Sequence, residues 1–169
     1  MFCDKLTEKA IVLSDNPLAK TKNGNIAGIK KSSTYIFRGI KYANAERFHM
    51  PSKVGPWENS KPAVLYGYVC PERTTPIGYD AQVCPHYYMP QDENCQYLNI
   101  WTQSLDRNEK KPVMVWMHGG GWNSGSSVEQ YAYDGEELSK FGNVVVVSFN
   151  HRHNVLGNLD LSEYGEEYA

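Results

Sequence analysis

The sequence predicts an α/β protein in which an antiparallel N-terminal hairpin leads into a mostly parallel sheet with a crossover helix. Three observations predict it. Residues 97–102, 113–117 and 144–149 are nearly unbroken apolar runs of strand length, the pattern of strands covered on both faces. Three consecutive glycines, Gly119-Gly120-Gly121, follow the second run directly. A short helical segment then precedes the third run, and the order strand, loop, helix, strand is that of a βαβ unit.

The elements follow in order. From Asn25 to Ala43 the chain reads as a hairpin: Ile26, Gly28 and Lys30 lead into Lys31-Ser32-Ser33, and the β-rich stretch Thr34-Tyr35-Ile36-Phe37-Arg38-Gly39-Ile40 returns. Between Ala45 and Glu93, Pro51, Pro56, Pro62, Pro71, Pro76, Pro85 and Pro90 exclude long helices and central strands. Its tyrosines and tryptophan make that region an ordered meander rather than a disordered one. The strands Tyr97–Thr102, Val113–Met117 and Val144–Phe149 come next. Between the last two, Asp134 to Gly142 reads as a short helix capped by Asp134 and ended by Gly142. Trp101 and Trp116 lie within strands and are expected in the core.

The 169 residues, 41% hydrophobic and 21% charged, suit one domain over 1–169 with no internal boundary. A net charge of -2 from interspersed acids and bases gives no basic footprint, so nucleic acid is not an expected partner. Residues 1–9 alternate charged and apolar side chains without a secretory apolar core. No run approaches the ~18 apolar residues of a membrane span, so a cytoplasmic location is expected. Cys3, Cys70, Cys84 and Cys95 form no Cys-x-x-Cys pair. They read as reduced thiols, with a loop-closing Cys70–Cys95 disulfide left open for an exported protein. His151 and His153 have no Cys or carboxylate beside them at ligand spacing, so neither metal nor cofactor is expected.

Three glycines after a strand cost conformational entropy and need a reason, such as positive φ or close backbone approach. A phosphate loop of the Walker type would end in Gly-Lys-Ser/Thr, and a dinucleotide loop would read Gly-x-Gly-x-x-Gly. Neither pattern is present. The remaining chemistry for bare backbone N–H groups is stabilisation of the oxyanion in an acyl-transfer intermediate.

The surrounding motifs are similar to those of the type-B carboxylesterases. Phe37-Arg38-Gly39-Ile40-Lys41-Tyr42-Ala43 resembles that family's FRGIPYA segment, and Glu93-Asn94-Cys95-Gln96-Tyr97-Leu98-Asn99-Ile100-Trp101 its EDCLYLNIW signature. Val113 to Trp122 resembles VMVWIHGGGF, and Asn150-His151-Arg152 with Val155-Leu156-Gly157 parallels NYRLGVLGFL. The resemblance implies the N-terminal part of an α/β-hydrolase fold and a carboxylic-ester hydrolase acting on a small-molecule ester without a cofactor. It implies that the N–H groups of Gly120 and Gly121 are oxyanion donors, that His118 and Gly119 shape the turn, and that Gly119 and Trp122 border the substrate. It assigns structural roles to an Arg47–Glu93 ion pair and to Arg152 in buried polar contacts, and it pairs Cys95 with Cys70 or Cys84 in an exported relative.

The chain departs from the family at Asn94, where aspartate is usual, and at His153-Asn154, where Leu-Gly is usual. It also contains no Gly-x-Ser-x-Gly nucleophile elbow: Gly125-Ser126-Ser127-Val128-Glu129 fails at its last position. In the fold the nucleophile, acid and histidine all follow the glycine loop. The expectation is therefore a segment inactive by itself, completed by a continuation or a second chain. The alternative is a non-catalytic accessory subunit that completes an esterase-like fold with a partner. The last strand is expected mid-sheet, with an unpaired edge beside it.

Overall fold

The computed structural model describes residues 15–72 and 89–168. Residues 1–9, Cys84, Pro76 and Pro85, on which some of the readings above rest, lie outside the described residues.

Strands β1 (Leu18–Lys20) and β2 (Asn25–Ala27) pair antiparallel, and β7 (Lys61–Pro62) lies parallel to β2 in a small three-stranded sheet. The main sheet has the order β3-β4-β8-β10-β9, with β3 at Ile29–Lys31, β4 at Thr34–Lys41, β8 at Tyr97–Thr102, β9 at Val113–Met117 and β10 at Val145–Phe149. The hairpin exists, but its first arm is divided. Residues before Gly28 belong to the small sheet, and only Ile29–Lys31 pairs with β4, around Ser32-Ser33. The proline-rich meander contributes β5 (Ala43–Asn44) and β6 (Ser52–Lys53), a two-stranded pair, besides β7.

The expectation of a mostly parallel sheet is corrected by the pairings. The β3–β4, β4–β8 and β8–β10 pairs are antiparallel, and among the described residues only β9–β10 is parallel in the main sheet. The reason is topological, since a parallel neighbour requires a crossover and the described chain makes one within this sheet. That crossover carries helix α1 (Glu136–Gly142). Its start agrees with an Asp134 cap in effect: Asp134 Oδ1 accepts the Glu136 N–H at 2.9 Å, although Gly135 occupies the capping position itself. Its end differs from expectation. Gly142 stays helical and Asn143 takes the left-handed conformation at φ 48°, which asparagine tolerates better than most residues.

The sheet packs on both faces around its middle strands. Ile36, Trp101 and Val146 stand in one cross-strand row and are buried together with Val144. Phe37 and Ile100 face the other way, onto Ile26 and Ala63. Each fully buried side chain of this size contributes ~1.5–3 kcal/mol. The strand β9 is different. All five residues from Val113 to Met117 are 45–66% exposed, so the prediction of cover on both faces fails there and Trp116 is not in the core. Among the described residues β9 lies at the edge of the sheet, with β10 as its one ladder partner. The last strand does lie mid-sheet, but the free edge belongs to the strand before it.

A polar network inside the sheet ties these elements to the segment after the glycines. In β4, the ladder to β8 shifts between Phe37 and Ile40. There the Gly39 N–H turns to Asn99 Oδ1 at 3.0 Å, and the Arg38 N–H goes to the Ala63 carbonyl at 2.8 Å. Asn99 Nδ2 donates to Ser148 Oγ at 3.2 Å and to Ser127 Oγ at 3.5 Å. Asn150 Oδ1 accepts the Ser127 N–H at 2.8 Å, and Asn150 Nδ2 donates to the Tyr68 carbonyl at 3.0 Å. Buried amides thus saturate the groups that a bulge and a loop would leave unpaired. Among the described residues no helix is long and apolar enough to cross a membrane.

Candidate functional site

Strand β9 delivers the chain to His118 at its exposed end, and the glycines then reverse it. Gly120 and Gly121 adopt φ of 117° and 61°, and Trp122 follows at 64°. Asn123 and Ser124 close the turn by donating their N–H groups to the Gly120 carbonyl at 3.1 and 3.2 Å. A side chain at Gly120 is excluded twice, by its φ and by the Ser124 carbonyl, which a Cβ would meet at 1.9 Å. The strained Trp122 backbone costs of order 1–3 kcal/mol. It is held by two donors to its carbonyl, the Asn154 N–H at 2.6 Å and Asn158 Nδ2 at 3.1 Å, both from helix α2 (Asn154–Asn158).

The turn leaves the N–H groups of Gly120 and Gly121 exposed and without an acceptor among the described residues. Beside them lies a cavity of about 290 Å³ bordered by Gly119, Gly121, Trp122, His118, His151 and His153. Trp122 is 71% exposed and also borders an open groove on its other side, formed with Asn154, Val155 and Leu159. Gly119 and Trp122 therefore both line hollows next to the two free donors.

Three imidazoles form one wall. His118 and His151 stack with ring centroids 4.8 Å apart, and His153 meets both edge-on at 6.1 and 6.3 Å. His118 Nδ1 lies 2.7 Å from the Gly119 carbonyl, which can only accept, so Nδ1 carries the proton. Its Nε2 is then a bare acceptor, buried and without a partner. Burial, followed by the neighbouring imidazoles, holds the His118 pKa below its ordinary value, so the ring stays neutral. For His153, burial opposes the charged form. The Cys70 sulfur, the Gly125 carbonyl and Glu72 outweigh it and raise the pKa. Behind His153, Cys70 and Cys95 are buried free thiols. The hydrogen bond from Cys95 draws the Cys70 pKa down and raises that of Cys95. Among the described residues no cluster of three or more His, Cys, Asp or Glu side chains could hold a metal ion.

Among the described residues, the serines that follow the glycine loop are engaged elsewhere. Ser126 and Ser127 are buried, and Ser127 Oγ belongs to the Asn99 network. Ser124 Oγ turns back to the Gly120 carbonyl at 3.4 Å.

The other anticipated residues lie outside the cavity. Arg47 Nε bonds both Glu93 carboxylate oxygens at 3.0 and 2.8 Å, and this pair holds the Glu93 pKa below the usual carboxylate value. Arg152 bridges the carbonyls of Glu46 and His49 at 3.0 and 2.8 Å. Asn94, despite replacing an acid, accepts the Ala45 N–H at 3.1 Å from 49 positions away. Two residues that reach the loop were not singled out as site residues from sequence. His153 was visible as one of two histidines weighed against metal binding and as a departure from a familiar pattern, and Glu72 had no local signal at all.

The sequence profile of the carboxylesterase family matches residues 15–166. Para-nitrobenzyl esterase of Bacillus subtilis is 31% identical over 156 residues, covering 90% of this chain and 31% of that protein. Phenmedipham hydrolase of Pseudarthrobacter oxydans is 34% identical over 148 residues, covering 85% of this chain and 29% of that protein. Among solved structures, an esterase of the anaerobe Clostridium hathewayi, described as able to hydrolyse aliphatic aromatic polyesters, superposes with a TM-score of 0.87 at 53% identity, covering 95% of this chain and 32% of its own. The chain thus spans about three-tenths of the length of these proteins.

Proposed function

Because this chain belongs to the carboxylesterase family and forms the N-terminal part of its α/β-hydrolase fold, we propose that its glycine loop serves the hydrolysis of carboxylic esters by a serine mechanism. In that reaction a serine attacks the acyl carbon, the carbonyl oxygen becomes an oxyanion, and water later releases the acyl-enzyme. The N–H groups of Gly120 and Gly121 supply two donors to the oxyanion, and a third comes from the residue after the nucleophile. Trp122 and Gly119 border the acyl or alcohol group. The observation that carries the reading is the pair of exposed, unpaired N–H groups in a left-handed turn beside a cavity, inside motifs of this family.

The serine, acid and histidine of the mechanism lie beyond these residues, in a continuation or a second chain. Removing one oxyanion donor typically costs ~100- to 1000-fold in rate, so two donors without a nucleophile assist a reaction they cannot begin. The names of similar proteins mention para-nitrobenzyl esters and aliphatic aromatic polyesters, and an aromatic acyl or alcohol group suits a hollow walled by Trp122 and three imidazoles.

The test uses a p-nitrophenyl ester. The 169 residues alone are expected to give no turnover above buffer, and the same residues joined to an elbow-bearing remainder are expected to give turnover blocked by a serine-directed phosphonate. Phosphonate-sensitive turnover by the 169 residues alone would sink the assignment of the nucleophile to elsewhere.

A further inference from the structure

The grip on the glycine loop comes from below, at Gly125. His153 is fully buried, and its backbone N–H donates to the Cys70 sulfur at 3.4 Å. Its ring has one satisfied arrangement. Nε2 lies 3.2 Å from the Gly125 carbonyl, which can only accept, and Nδ1 faces Asn154 Nδ2 at 3.1 Å. The Asn154 amide is itself oriented, because Nδ2 also donates to the Pro71 carbonyl at 2.8 Å and Oδ1 accepts the Leu156 N–H at 3.1 Å. Turning it over would lose both bonds, so the imidazole is held with its proton on Nε2, aimed at Gly125.

The other backbone group of Gly125 is also taken by a side chain: its N–H donates to Glu72 Oε2 at 2.6 Å. Both gripping residues are distant in sequence, Glu72 by 53 positions and His153 by 28. Gly125 in turn abuts the glycines with no slack. At its φ of 96° a Cβ would sit 2.6 Å from the Gly119 carbonyl and 3.1 Å from His118 Nδ1. A Cβ at Gly120 would sit 3.3 Å from the Gly125 nitrogen. Backbone packed this closely transmits displacement rather than absorbing it.

We propose that Glu72 and His153 form a clamp on Gly125 that positions the N–H groups of Gly120 and Gly121. They are positioning residues: neither touches the oxygen those groups would bind. The clamp's use in catalysis rests on the ester-hydrolase reading, but the clamp itself is measurable without it. The departure from Leu-Gly at His153-Asn154 is then a gain of function for the loop, since leucine and glycine have no side-chain donor for the Gly125 carbonyl.

The experiment follows backbone amides of the 169-residue chain by nitrogen-edited NMR and hydrogen exchange. In His153→Ala and in Glu72→Ala, the Gly120 and Gly121 resonances are expected to move and Gly125 exchange to rise about fivefold, the equivalent of one lost hydrogen bond. The Ile100 and Val147 amides are expected to stay in place, reporting an intact sheet. His153→Gln, which keeps a donor at the Nε2 position, is expected to restore the wild-type resonances, and so is Glu72→Gln, which keeps an acceptor oxygen. Loop resonances unmoved in both alanine variants would overturn the clamp. So would a glutamine variant behaving like its alanine counterpart. If His153→Ala does not fold, Glu72→Ala against Glu72→Gln decides alone.

The same variants in the whole esterase separate the two ideas. Displaced loop resonances with kcat unchanged leave the clamp standing and remove the oxyanion role. Lowered kcat with unmoved resonances removes the clamp and keeps that role.

Discussion

Replacing Asn99 with alanine removes the centre of the polar network beneath the loop, and its cost can be worked from the contacts. Asn99 Oδ1 is the acceptor of the Gly39 N–H at the β4 irregularity, and Nδ2 serves Ser148 and Ser127. Asn99 is buried, so water cannot replace it readily. An orphaned buried N–H costs ~1–3 kcal/mol. The two serine oxygens lose a donor but keep their own O–H groups for bonding elsewhere, and so lose less, ~0.5–1 kcal/mol each. The sum is ~2–5 kcal/mol for Asn99→Ala. With a urea slope of ~2 kcal/mol per molar, the unfolding midpoint falls by ~1–2.5 M. Equilibrium unfolding followed by tryptophan fluorescence reads this, since Trp101 lies in the same strand. Ser148→Ala alone should cost ~1 kcal/mol, and the double variant should cost less than the sum because the two share a bond. A loss below ~0.5 kcal/mol for Asn99→Ala, the scale of an ordinary surface change, would refute the claim that this network anchors the bulge.

Three further predictions concern the loop, the surface and the edge. Gly120→Ala places a Cβ against the Ser124 carbonyl and should lower ester turnover in the whole esterase by ~100- to 1000-fold. Unchanged kcat would show that the turn is not used. Glu93 has a folded pKa depressed by Arg47, so its contribution is present above the ordinary carboxylate value and lost as pH falls through the folded one. Glu93→Gln should therefore flatten the acid side of the stability curve, and equal acid sensitivity in urea unfolding would contradict this. Val115→Lys on the exposed edge strand β9 should reduce self-association, as edge lysines do. Sedimentation of the wild-type chain as a monomer at all concentrations would count against an adhesive edge.

Local chemistry explains which features were legible in the sequence. Strand β9 was placed at Val113–Met117 because its apolar run is bounded by Pro112 and the glycines. Its burial was misread, because an apolar run says which residues prefer cover and nothing about which neighbour supplies it. Trp101 and Trp116 look alike in sequence, but Trp101 stands on β8 between β4 and β10, whereas among the described residues β10 is the one ladder neighbour of Trp116's strand. The parallel character was overstated because parallel pairing depends on crossovers, and β8 reaches its two neighbours from outside any βαβ unit. In the glycine loop, the turn was legible from residue type, whereas Glu72 and His153 act across 53 and 28 positions. No spacing rule covers contacts of that range.

The placement of β10 between β8 and β9 also sets an order of assembly. Among the described residues β9 has no ladder partner other than β10, so as the chain emerges from its N-terminus, residues 113–117 wait without that partner until residues 145–149 have followed. The glycines ride on that waiting strand, and His153 emerges later still. Closing such long-range pairs is the slow part of folding. Nascent chains stopped before Val145 should therefore leave the glycine loop open to proteolysis, and chains stopped after Asn154 should protect it.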